Sequence, residues 1–147
     1  MVNLRLRTTV AMRFRALAAV LLLQLGDAIG EIKQDQLVKP PGDAVRGESI
    51  VINRQLGLCL LCHSAPAGDP RVQGNLAPSL AGAGARWSAV QLRQRIANAR
   101  SINPDSIMPS YASTDGLNRV APAWVGQPIL NSQQIEDVVA YLQTLRE

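Results

Sequence analysis

Five consecutive residues, Cys59-Leu60-Leu61-Cys62-His63, constrain this chain more than any other feature, because they hold both of its cysteines and its single histidine. The run has the Cys-x-x-Cys-His form of a c-type haem attachment site. The spacing suits the chemistry. Two thiols about one helical turn apart can add across the two vinyl groups of a haem, and the next residue brings an imidazole nitrogen under the iron. Other uses of these residues meet a shortage of partners. A structural zinc site needs four N/S ligands, and two cysteines with one histidine fall short. A thioredoxin-like redox pair belongs in a βαβ pattern, which the chain lacks. A disulfide spanning two residues would constrain almost nothing.

The first thirty residues read as a secretory signal peptide. Arg5, Arg7, Arg13 and Arg15 precede the apolar run 16–25, a basic region followed by a short hydrophobic one. At about ten residues that run is too short for the ~20 that span a bilayer, and Asp27 interrupts its extension. Cleavage after Ala28-Ile29-Gly30 would place the mature start near Glu31; an uncleaved anchor is the alternative. Met12 serves equally well as initiator. The leader carries most of the excess charge. Of the net +4, it accounts for four arginines against Asp27, which leaves 11 basic and 10 acidic side chains in residues 31–147. That near balance removes the charge argument for a nucleic-acid partner. Thioether haem is assembled outside the cytoplasm, so export and motif both predict a periplasmic protein.

Residues 31–147 suffice for one compact core. After an irregular arm through Pro40-Pro41-Gly42, Asp43 is a good N-cap for a helix over 44–53. Gly47 inside it costs about 1 kcal/mol against Ala, as a tolerated defect or as the site of a close helix crossing. The glycine-rich stretch 74–86 has neither helix nor strand periodicity. It can supply a carbonyl, that of Pro78 being one candidate, to hold the second nitrogen of His63. Ser88, with Gln91 three residues on, forms a capping box for the next helix, whose Leu92, Ile96 and Ala99 make an apolar stripe. Its Arg93, Arg95 and Arg100 form a solvated face or a docking face for an acidic partner. Arg86 and Trp87, just ahead of the cap, are candidates for contact with a haem propionate.

Met108 is the only methionine beyond the leader. It sits in the Pro-containing loop Ser106-Ile107-Met108-Pro109 rather than on a helix stripe, which weakens the gap-filling explanation. A thioether is a soft ligand for low-spin haem iron, and His/Met ligation raises the potential. Met108 is therefore the expected sixth ligand opposite His63, and Lys33 and Lys39 compete without a supporting motif. Past a long Pro/Gly-containing connection over 112–130, Asn131 and Gln134 box a last helix. Along it Ile135, Val138, Val139, Leu142 and Leu145 recur at the helical period.

These residues together resemble the class I cytochromes c: an all-α fold in which the N- and C-terminal helices cross and the haem lies between helices and loops. The resemblance implies a signal peptide over 1–30 and one monohaem domain over 31–147. It also puts Gly47 at the crossing with Tyr141 as its neighbour, and singles out the Pro78 carbonyl as the partner of His63. A narrower resemblance is to the SoxX family of monohaem cytochromes. It is carried by Gly57-Leu58-Cys59 through Ser64, Ala77-Pro78-Ser79-Leu80 through Arg86, and Asn103-Pro104 through Tyr111. Arg119-Val120-Ala121 and Gly126-Gln127-Pro128 through Leu142 extend it.

That resemblance implies one covalently attached haem c and a heterodimeric partner, a SoxA-like second cytochrome. It further implies a soluble cytochrome c as electron acceptor, and contact with the SoxYZ carrier through a periplasmic complex that couples thiosulfate to a carrier cysteine. Within such an L-cysteine S-thiosulfotransferase complex this chain would be an electron-transfer subunit, since it has no third cysteine or second histidine for the sulfur chemistry. Three other readings stay open: a free cytochrome c shuttling electrons to an oxidase, a haem enzyme or sensor with an open distal side, and a haem-free thiol protein.

Overall fold

A computed structural model describes residues 40–147. The expected leader, 1–30, together with Lys33 and Lys39, lies outside the described residues. Among the described residues four α-helices form the frame: α1 (Ala44–Ile52), α2 (Ala83–Arg86), α3 (Ala89–Ala97) and α4 (Ser132–Thr144). Among the described residues there is no strand, and no helix is long and apolar enough to cross a membrane.

Three of the helices begin where local chemistry directs. The Asp43 carboxylate accepts from the Arg46 backbone N–H at 2.8 Å, which satisfies a first-turn donor with no helical partner. Capping boxes at Ser88/Gln91 and Asn131/Gln134 open α3 and α4, each closed by reciprocal side chain–backbone bonds. Asn53 stops α1 by turning its side-chain oxygen onto the N–H groups of Gln55 and Leu56, each at 2.9 Å.

The most extensive packing joins α1 to α4. From α1 it buries Gly47, Ile50 and Val51; from α4 it buries Ile135, Val138, Val139, Tyr141 and Leu142. Each such aliphatic side chain contributes about 1.5–3 kcal/mol on leaving water. Gly47 is at the crossing. A Cβ there would fall on the Asp137 carbonyl oxygen and 2.8 Å from Tyr141 Cβ, so the cost of glycine in a helix is the condition for two backbones to meet. The crossing is also tied by charge. Asp137, buried on α4, takes Arg46 Nε at 2.8 Å and Nη2 at 2.9 Å, the Asp43 N–H at 2.8 Å and Gln133 Nε2 at 3.0 Å. Those donors hold its carboxyl down at about 2 against burial, the Arg46 bond contributing most.

Sequence periodicity overlooks α2. Gly82, at φ +68°, admits the chain to this single turn, and what maintains it is contact with α4. The Gly84 N–H donates to Leu145 O at 2.7 Å, and a Cβ on Gly84 would sit 2.5 Å from the Gln143 carbonyl oxygen. The arginines of α3 and the turn after it are half-buried or exposed, and each also reaches a neighbour. Arg93 pairs with Glu136 at 2.5 Å and bridges α3 to α4. Arg95 lies over Trp87, and Arg100 Nε donates to Ser106 O at 3.3 Å. Their long stems reach neighbouring elements that a one-helix projection does not contain.

Candidate functional site

The Cys59–His63 run is placed by an unusual backbone turn. Leu58 adopts the left-handed conformation at φ 58°, uncommon for a residue with a Cβ. From it the chain enters a 3₁₀ turn over Cys59–Leu61. The N–H groups of Cys62 and His63 both donate to Cys59 O, at 3.2 and 2.9 Å. This sends Leu60 into the core, 2% exposed, and leaves Cys59, Cys62 and His63 lining a single cavity.

That cavity, about 210 Å³, is walled mainly by apolar side chains. Val51 comes from α1, Ile96 from α3, Val138 and Leu142 from α4. Met108 and Pro109 close it from the loop 106–109, which is held against α3 by the Tyr111 N–H donating to Ile96 O at 3.1 Å. Leu61 and Ile107 line it too, yet are 45% and 72% exposed. They mark its mouth. The structure thus brings Cys59, Cys62, His63 and Met108 to one apolar chamber, although 45 residues separate His63 from Met108 in the chain.

His63 is oriented from behind. Its Nδ1 lies 2.6 Å from the carbonyl oxygen of Pro78. A carbonyl can only accept, so Nδ1 carries a proton, and Nε2 is the ring nitrogen left to serve as a ligand. The strap holding Pro78 is itself laced to the motif. Gly74, Ala77 and Leu80 donate from their backbones to Leu60, Cys62 and Ser64, at 2.9, 2.9 and 2.8 Å. Arg86 stands apart from the cavity lining: its guanidinium donates to Ala81 O at 2.6 Å and Ser79 O at 2.8 Å, so it fastens the strap. Trp87 is likewise engaged elsewhere, beneath Arg95.

Sequence reasoning passed over Tyr111. It lines the cavity, is 3% exposed, and donates its hydroxyl to Gly57 O at 2.8 Å. The Cys59 thiol donates to the same oxygen at 3.2 Å. A buried tyrosine requires such a partner, but nothing local to residue 111 says which carbonyl it reaches. Both thiols are free. Burial pushes Cys59 up to about 11 and raises the Tyr111 hydroxyl as well, with Cys59 as a second cause. A thiol kept neutral in this way is a poor thiolate nucleophile, which tells against a thioredoxin-like exchange centre.

The donor set fits a c-type haem: two unpaired thiols, an imidazole held at Nδ1 so that Nε2 is left for a metal, a thioether sulfur and an apolar chamber common to all four. Comparison with known proteins agrees with the geometry. The chain matches the cytochrome c family over residues 44–146, so it belongs to that family, with its helical fold and its electron-transfer function. Within the family it is of the SoxX type. It is 41% identical to a chain in the crystal structure of SoxXA from P. pantotrophus, covering 76% of this chain and 87% of that one with a TM-score of 0.68. No curated protein sequence matches it.

Proposed function

We propose that this chain is the electron-relay subunit of a SoxXA-type complex, with one haem c held by thioethers to Cys59 and Cys62 and ligated by His63 and Met108. The observation that carries the proposal is the convergence of those four side chains on one apolar cavity. When bound, the haem supplies a one-electron Fe(III)/Fe(II) couple. The protein's part is to hold and tune it. The Pro78 carbonyl orients the His63 ring. The Met108 thioether would be the second ligand from the protein, and a thioether ligand would favour the reduced state. The apolar walls exclude water, and the mouth at Leu61 and Ile107 is where an electron would enter or leave.

The partner follows from the 41% identity to a SoxXA chain. A SoxA-like cytochrome would pass its electron to this chain, which hands it to a soluble cytochrome c. The sulfur chemistry, coupling of thiosulfate to the SoxYZ carrier cysteine, would take place on the partner. The domain for this role is 31–147, exported to the periplasm by the leader 1–30. Purification of the natively expressed protein tests the proposal. A larger c-type cytochrome should co-purify, and the isolated chain should show a low-spin six-coordinate spectrum with haem retained after acid–organic extraction. A monomer that meets no haem-bearing partner would point instead to a free shuttle, and a five-coordinate spectrum would sink the relay.

A further inference from the structure

Among the described residues, Arg95 is the half-buried arginine whose head has no counter-group. Arg46 is matched by Asp137, Arg93 by Glu136 and Arg86 by two carbonyls. The Arg95 guanidinium instead lies flat on Trp87, its carbon 3.7 Å from the ring centroid. Stacking uses the face of the planar group and leaves its in-plane N–H donors. Nε is fully buried and makes no hydrogen bond, a costly condition for a charged donor.

The same residue lines a cleft of about 310 Å³ with Gln91, Gln94, Ser101 and Ile102. No carboxylate is in that lining. The oxygen of the Gln91 amide is taken by the Ser88 N–H at 2.9 Å, so its NH₂ remains. The Ser101 hydroxyl gives its proton to Asn98 O at 2.7 Å. Gln94 has its amide on the exposed side of α3. The group is rich in donors and carries one fixed positive charge. The cleft is roughly ten times the ~30 Å³ share of a water molecule, ample for a tetrahedral or carboxylate oxyanion.

We infer that the Arg95 cleft is an anion-binding site taking an oxyanion group through the guanidinium edge, with the Gln91 and Gln94 amides as further donors. Its position beside Trp87 fixes the plane of the guanidinium, which pre-pays part of the ordering that a flexible arginine would lose on binding. The inference is independent of the relay role, since it uses no atom of the haem cavity.

The test is an NMR titration of the reduced holoprotein with sodium sulfate, and separately sodium acetate, at ionic strength held constant with sodium chloride. The Arg95 Nε–H and Trp87 indole N–H should shift saturably with one of the two salts. Gln94→Ala should weaken that binding several-fold, and Arg95→Lys, which keeps charge and stem but loses the planar edge, about tenfold or more. Arg100→Gln should leave it unchanged. In the complex isolated with its natural partner, a site still titrated by the salt takes a free anion; one already shifted and insensitive holds a partner carboxylate. The inference is overturned if neither salt gives a saturable shift, or if Arg95→Lys binds as tightly as the parent.

Discussion

His63 and Pro78 meet ring nitrogen to carbonyl oxygen at 2.6 Å across fifteen residues of chain. Because the acceptor is backbone, the side chain at 78 matters only through the shape of the strap. Pro78→Ala should keep the hydrogen bond and the absorption spectrum while releasing the unfolded chain from proline's restricted φ. The expected loss is about 0.4–1 kcal/mol of stability, read by chemical denaturation. A large spectral change would mean that proline's ring, rather than its carbonyl, positions His63.

Met108 is tested by removing its sulfur. Met108→Ala should lower the midpoint potential and allow the ferrous protein to bind carbon monoxide, seen in the difference spectrum. A variant that keeps its potential and refuses the ligand would remove Met108 from the axial position.

Gly47→Ala opposes two effects. Alanine favours a helix by up to about 1 kcal/mol, but its methyl would collide with the Asp137 carbonyl and the Tyr141 Cβ, and overpacking costs about 1–3 kcal/mol. The neighbours are backbone and a Cβ, neither of which can rotate away. Net destabilisation of about 1–2 kcal/mol is expected from denaturant midpoints. A stabilised variant would show that the α1–α4 crossing is loose.

The Asp137 carboxyl predicts an acid limb. Its folded value, about 2, lies below the ordinary 3.8, so the folded state resists protonation where the unfolded chain accepts it. Stability from this group is fully present above about pH 4 and is lost as pH falls toward 2. Asp137→Asn should flatten that limb and cost about 2 kcal/mol near neutrality, since hydrogen bonds to charged groups are worth ~1.5–3 kcal/mol. An unchanged acid limb in the variant would assign it to other carboxylates.

The Arg93–Glu136 bridge has the more exposed carboxylate, 23% against 4% for Asp137. Arg93→Ala should cost no more than about 1 kcal/mol, and less in high salt. A larger, salt-insensitive loss would show that the arginine stem, not its charge, seals α3 against α4.

The features legible in the sequence are those whose causes are local. Cys59, Cys62 and His63 declare themselves by spacing; Asp43, Ser88 and Asn131 start helices because each cap bonds backbone only three residues on. Met108 stood out because a thioether in a Pro-flanked loop has little packing purpose. What only the tertiary structure decided lies between residues far apart in the chain. Asp137 reaches Arg46 across 91 residues, and Tyr111 reaches Gly57 across 54. The turn α2 exists because Gly84 can approach Leu145, and Arg86 donates to the Ala81 and Ser79 carbonyls of the strap. The motif named at the outset therefore carries its two thiols and its imidazole in one short run, but its chamber is assembled from three helices and loops. Local sequence dictates which groups a residue can offer. Only packing brings the distant wall and the Met108 thioether to the chamber, and the Pro78 carbonyl to the His63 ring.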